Sequence, residues 1–137
     1  MILASSLFVH ARARRTLTST GRADLLARAE LMHCAARVAS LVFEPCARFE
    51  VLRADAPAAE RAYADHLGAR ALAAGDIARL PAAQQAAATA VAGGDATLAT
   101  VQVIEDPQAR LIAVAVLFQA GKASPPMIGA ATETASA

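Results

Sequence analysis

The sequence predicts an α+β domain in which an antiparallel sheet packs on one long buried helix, with extra Ala-rich helices. Two stretches carry this prediction. Residues 97–119 have the pattern of a β-hairpin, because β-branched residues cluster on both sides of a turn at residues 106–109 and Pro107 fits the second position of a type I turn. Residues 22–43 instead repeat apolar residues at spacings of three and four, as an amphipathic helix does.

The N-terminal segment has two interpretations. Residues 3–10 alternate along the chain, which predicts a first strand that extends toward Arg14. The same segment is rich in Arg and Ser and has no acidic residue before Asp24, which is typical of a transit peptide. Both interpretations stay open, whereas the order of an apolar run followed by Arg is the reverse of a secretory signal peptide.

The helix predicted for residues 22–43 is apolar over most of its circumference, so we expect it to be buried on most sides. Its first apolar stripe consists of Leu25, Ala29, Met32, Ala36, Ala39 and Phe43, and its second of Leu31, Cys34, Val38 and Leu41. A narrow polar seam of Glu30, His33, Arg37 and Ser40 separates them. We expect the helix to end before Pro45, because the residue that precedes a proline avoids helical geometry.

The middle of the chain alternates between strand and helix signals. Residues 48–53 alternate in polarity and predict a second strand. Residues 55–75 fit either a helix or an edge strand. High helix propensity over residues 81–92 predicts a helix that the pair Gly93–Gly94 ends.

The hairpin closes the predicted sheet. Its second strand, residues 111–118, is apolar on both faces, as a strand buried between two layers is. Residues 121–137 contain Pro-Pro and small polar residues, which predicts a disordered tail. The predicted single domain therefore covers residues 1–120.

Composition excludes several classes of partner. The chain has 137 residues, enough for one domain with one core. Its net charge of +1 and its 4% aromatic content predict no nucleic-acid partner. We also expect no membrane span, because no run of eighteen or more uncharged apolar residues occurs. Alanine is the most abundant residue, so the core must be built from small side chains and closely approaching elements.

The chain contains two cysteines, Cys34 and Cys46. They fit neither a metal-ligand spacing nor the disulfide framework of a small secreted protein. We therefore predict reduced cysteines and a cytoplasmic location.

Other arrangements of reactive side chains give only weak evidence for a metal site, a catalytic site or a DNA-binding motif. Glu30 and His33 form half of a di-iron carboxylate motif, but no second Glu-x-x-His pair follows, so we predict no metal and no other cofactor. His33 and Cys34 do not form a base–nucleophile pair, because adjacent helical residues point about 100° apart. Residues 77–92 would fit a helix-turn-helix only poorly, since a basic recognition helix is missing.

Three stretches together resemble the hot-dog fold, the family of acyl-thioester hydrolases and dehydratases in which a curled antiparallel sheet wraps a central helix. GRADLLARAE (Gly21–Glu30) is similar to the segment that opens the central helix of many thioesterases. RFEVLRADAP (Arg48–Pro57) resembles the strand after that helix, and DPQARLIAVAVLF (Asp106–Phe118) resembles the last hairpin. The chain departs from the pattern at Gly21, where the family often has His, and at Ala23, where Gly is expected.

The resemblance implies a site for an acyl thioester of coenzyme A or of an acyl carrier protein. Glu30 would act as general base or nucleophile, and backbone N–H groups near Arg22 and Ala23 would receive the thioester oxygen. The acyl chain would occupy a tunnel lined by Ala29, Met32, Ala36, Val114 and Val116. A partner subunit closes such sites, so the resemblance also implies a homodimer.

A second hypothesis is a non-enzymatic protein-interaction or complex subunit. In this interpretation the Ala-rich helices between Pro57 and Ala92 present small side chains to a partner helix. The position of Glu30 separates the two hypotheses, because a fully solvent-exposed Glu30 would not suit a catalytic carboxylate.

Overall fold

The computed structural model describes residues 22–137, and regular secondary structure in this part of the chain is entirely helical. The eight α-helices are α1 (Ala23–Ala39), α2 (Ala47–Glu50), α3 (Ala58–Leu67), α4 (Ala74–Ile77), α5 (Ala82–Val91), α6 (Leu98–Gln102), α7 (Pro107–Gln119) and α8 (Pro125–Ser136). A 3₁₀ turn, Arg53–Asp55, follows α2. The α+β prediction, with its antiparallel sheet and hot-dog arrangement, is therefore wrong. The strand predicted for residues 3–10 lies outside the described residues.

The predicted hairpin is a pair of helices, α6 and α7. Thr97 and Thr100 form a capping box at the start of α6, in which the Thr97 N–H donates to Thr100 Oγ1 over 2.9 Å. At the start of α7, the Asp106 carboxylate accepts the Ala109 N–H over 2.8 Å, and Pro107 occupies the first helical turn. The supposed turn residues are thus a helix cap. The apolar run behind them misled the prediction, because a buried helix and a buried strand are both apolar all round.

Helix α7 is the centre of the bundle. Residues 112–117 are all buried, which requires cover on every side of the helix. Helices α1, α3, α5, α6 and α8 all pack against it. Its alanines, Ala113 and Ala115, are at most 1% exposed, so neighbouring helices approach its backbone closely.

The helix predicted for residues 22–43 forms, but it ends at Ala39. Its buried side contains Leu31, Cys34 and Val38, the second of the two apolar stripes. The first stripe faces outward, since Leu25 is 60% and Met32 67% exposed. The second stripe is buried because small residues, Ala27 and Ala35, flank it and let α7 and α3 pack closely against α1.

Local hydrogen bonding overrides the other strand predictions. Residues 48–53 form α2 and the start of the 3₁₀ turn, where Arg53 pairs with Glu50 over 2.8 Å. Residues 55–75, left open between helix and strand, contain α3. The helix predicted for residues 81–92 is confirmed as α5.

The segment 121–137, predicted as a disordered tail, contains helix α8. Gly121, with φ at +75°, ends α7 in the left-handed conformation that glycine tolerates best. Ser124 then caps α8 by accepting the Met127 N–H over 3.4 Å. Met127 is 0% exposed and fixes α8 in the cluster formed with α5, α6 and α7.

Cys34 and Cys46 form a disulfide, so the prediction of two reduced cysteines is wrong. The bond joins α1 to the residue before α2, with Cα atoms 5.7 Å apart. Loop closure over the 12-residue separation stabilises the fold by about 3 kcal/mol through the unfolded chain. Sequence spacing could not show the pairing, because the return of the chain after α1 brings the two residues together.

No helix within residues 22–137 has both the length and the apolarity needed to cross a membrane.

Candidate functional site

The predicted catalytic residue, Glu30, lies on α1 and is half-buried. It borders a cleft of about 690 Å³ together with His33 and Arg37. The predicted oxyanion donors, Arg22 and Ala23, stand at the N-terminus of the same helix, about 10 Å away along its axis. The structure therefore does not bring the carboxylate and these N–H groups to one reacting centre.

The predicted acyl tunnel residues also do not converge. Ala29, Met32 and Ala36 are exposed on the outer side of α1. Val114 and Val116 are buried on α7 but belong to two different core clusters, one with α5, α6 and α8 and the other with α1 and α3. Thioester binding and hydrolysis stay predictions that the geometry of residues 22–137 does not favour.

An apolar groove lies between α7, α8 and the C-terminal end of α1, with a volume of about 210 Å³. Its lining consists of Ala39, Leu41, Leu111, Val114, Ala115, Phe118, Ile128, Ala131, Thr132 and Ala135. Among the lining residues within 22–137, Thr132 is the one polar residue, and none of them is charged. On both α7 and α8 the lining positions follow the spacing i, i+3, i+4, i+7, so each helix presents two turns of an apolar stripe.

Large side chains project at the edges of this groove, while its floor is built from small ones. Leu41 is 57%, Phe118 48% and Ile128 42% exposed, and each is a large apolar side chain in contact with water. Ala115 and Ala131 lie between them along the two stripes. The surface thus combines protrusions and a hollow within one apolar patch.

Two contacts hold the wall on the α1 side. Phe43 stacks on Phe118 with ring centroids 6.2 Å apart. Leu41 has φ at +64°. The Leu41 N–H donates to the Val38 carbonyl over 2.8 Å and the Val42 N–H to the Arg37 carbonyl over 2.9 Å, which is the pattern of a Schellman cap. Glycine usually occupies this position, since a left-handed leucine costs roughly 1–2 kcal/mol. The side chain of Leu41 is more than half exposed at the edge of the groove that it lines.

Arg110 fixes the wall on the α8 side. Its guanidinium donates to the Ile104 carbonyl over 2.6 and 3.0 Å and to Thr134 Oγ1 over 3.2 Å. A single side chain of α7 therefore holds both the end of α6 and the helix α8. Met127 anchors the other end of α8 in the core.

A second cleft, of about 460 Å³, contains a network of charges. Arg53 donates to Glu50 over 2.8 Å and to Asp65 over 2.9 Å, and Arg70 contacts Asp65 over 3.3 Å. The hydrogen bond from Arg53 lowers the pKa of Glu50, and the same bond raises the pKa of Arg53 against the effect of burial. These charges neutralise one another, so the network ties α2 to α3 and offers no free charge for a ligand.

His66 lies on α3 and is 1% exposed. Its Nε2 lies 2.9 Å from Gln84 Oε1, and Gln84 Nε2 donates to the Ala109 carbonyl over 2.9 Å. Burial lowers the pKa of His66, although the hydrogen bond with Gln84 opposes this effect. When His66 is neutral and donates to Gln84, both hydrogen bonds of this series are formed. The series links α3, α5 and α7 and has a structural role.

Within residues 22–137, no group of three or more His, Cys, Asp or Glu side chains is placed to hold a metal ion. Comparison with protein-family models, with curated proteins and with solved structures finds no match to this chain. The groove does not follow from the sequence predictions, because residues 121–137 are predicted as a disordered tail. The spacing of Ile128, Ala131, Thr132 and Ala135 is nevertheless the spacing of one helix face.

Proposed function

We propose that this protein is a non-enzymatic protein-interaction subunit that forms a homodimer through the apolar groove between α7, α8 and the end of α1. The observation that carries the proposal is the combination of protruding apolar side chains and an alanine-floored hollow on one patch. A twofold interface uses the same patch on both subunits, so the patch must complement itself. Here Phe118 of one copy can enter the hollow of the other.

Charge supports the same occupant. A patch with a net charge would repel its own copy across a twofold axis, whereas the described residues that line this groove carry no charge. The length of the hollow also suits a second copy of the chain. Each helix lines it over two turns, which span about 10 Å, and this length accepts one or two projecting side chains of the other subunit.

The experiment is sedimentation equilibrium of the wild-type chain and of Phe118→Asp, from about 1 μM to about 1 mM, the range in which weak dimers dissociate. Phe118 is 48% exposed, so its burial in a dimer contributes about 1 kcal/mol per subunit, and a buried carboxylate adds a larger cost. We expect a monomer–dimer equilibrium for wild type and a dissociation constant raised at least about 100-fold in the variant.

Val51→Asp is the matched control, because Val51 is 72% exposed and does not line the groove. It should leave the dissociation constant unchanged, and far-UV circular dichroism should show all three proteins equally helical. A wild-type chain that stays monomeric throughout the range, or a dimer that survives Phe118→Asp, would overturn the proposal. The first result would direct attention to a different chain as the occupant of the groove.

A further inference from the structure

The Cys34–Cys46 disulfide lies where the two polar clefts meet. Cys46 lines both clefts, of about 460 and 690 Å³, whereas Cys34 lines only the larger one. Cys34 is 6% exposed within α1, and Cys46 is half-buried just before α2. A thiol in the smaller cleft therefore meets Cys46, and in the larger cleft Cys46 is the more exposed of the two cysteines.

The larger cleft, into which a Cys34 thiolate would leave, is lined by Arg37 and Arg48 and by Glu30 and Glu44. Cationic side chains stabilise a thiolate, and a better leaving thiolate speeds exchange. Arg37 is partly engaged, because it forms an ion pair with Glu44.

We propose that this disulfide is a site of thiol–disulfide exchange with a dithiol reductant, attacked at Cys46. A thiolate of the reductant attacks Cys46 Sγ, the Sγ–Sγ bond breaks, and Cys34 leaves as a thiolate that takes up a proton. The second thiol of the reductant then attacks its own sulfur in the mixed disulfide and releases Cys46. The protein gains two electrons and two protons, and the dithiol becomes a disulfide.

The reaction reaches the groove through the loop of residues 40–46. This loop carries Leu41, which lines the groove, and Phe43, which supports Phe118. Cys46 is the covalent anchor at the far end of the loop. Reduction frees that end, so the wall on the α1 side loses a constraint and self-association weakens. This last consequence rests on the proposed homodimer, whereas the exchange at Cys46 does not.

The first experiment maps the site of attack with reduced glutathione, a monothiol that forms the mixed disulfide but has no second thiol to resolve it. The folded, oxidised chain is exposed briefly, quenched with acid, alkylated and analysed by peptide mass spectrometry. We expect glutathione on Cys46 and an alkylated Cys34, with at least about a 10-fold excess over the opposite pattern. Glutathione mainly on Cys34, or reduction by dithiothreitol no faster than global unfolding, would overturn the proposal.

The second experiment compares sedimentation equilibrium of the oxidised chain with that of the chain reduced by dithiothreitol. We expect the dissociation constant of the dimer to rise about 10-fold on reduction, and equal constants would refute the link to the groove. The two proposals fail in different ways. A monomeric wild type that exchanges at Cys46 refutes the homodimer alone, whereas a dimer that resists glutathione refutes the exchange alone.

Discussion

Two glycines allow the same substitution to test the structure with opposite signs. Gly121 ends α7 with φ at +75°, and Gly129 lies inside α8 on its exposed side. A Cβ added at either position would meet no packed neighbour among residues 22–137 within 4 Å, so the effect of alanine at both sites is conformational. The pair therefore reports on the backbone of the C-terminal segment, which supplies one wall of the groove.

The magnitudes follow from backbone geometry. Gly121→Ala places a side chain in the left-handed region and should lower the free energy of unfolding by about 1 kcal/mol. Gly129→Ala replaces glycine in a helix interior and should raise it by about 1 kcal/mol. For a chain of this size, each change shifts the melting temperature by about 4 °C, downward at Gly121 and upward at Gly129.

Thermal and urea unfolding, followed by far-UV circular dichroism, measure both shifts against wild type. A stabilising or neutral Gly121→Ala would refute the left-handed cap at the end of α7. A neutral or destabilising Gly129→Ala would refute α8 as a helix, and with it the wall of the groove that Ile128 and Ala131 form.

Two further predictions concern the buried polar chain. Gln84→Ala leaves His66 Nε2 and the Ala109 carbonyl unpaired in the core, and it should lower the free energy of unfolding in urea by about 2–4 kcal/mol. The control, Gln85→Ala, loses one hydrogen bond to the Leu80 carbonyl and should lower it by about 1 kcal/mol. Equal losses would contradict the role of Gln84. Burial lowers the pKa of His66 in the folded protein, so as the pH falls below about 6.5 this histidine is protonated in the unfolded chain first. The free energy of unfolding should therefore fall by up to about 1.4 kcal/mol per pH unit until the pH reaches the pKa of His66 in the folded protein. His66→Asn should flatten this slope in unfolding measurements between pH 5 and 7, and an unchanged slope would mean that His66 does not cause it.

The sequence allowed correct predictions where local signals decide the structure. Helix α5 was predicted from its Ala- and Gln-rich composition and from Gly93–Gly94 at its end. The body of α1 was predicted from apolar residues at spacings of three and four. The inward stripe of α1 was not, because both stripes are apolar and only the packing against α7 and α3 chooses between them.

The errors arose where one pattern fits two structures. Asp106-Pro107 suits a turn and a helix cap alike, and the apolar residues behind it suit any element that is buried on all sides. The same ambiguity affects the candidate site. Val114 is predicted to line a tunnel and lines the groove instead, whereas Ile128 belongs to no predicted site, because its helix is predicted as a disordered tail.

The sequence by itself determined the small side chains of the core and the absence of charge along two stripes, because these depend on residue type and close spacing. Tertiary structure alone decided which stripes meet. The groove joins residues near positions 40, 114 and 130, and the disulfide joins two residues across a loop, so both depend on where the chain returns after each helix. A local sequence pattern does not encode the path of the chain after each helix. Packing around α7 fixes the relative positions of α1 and α8 instead.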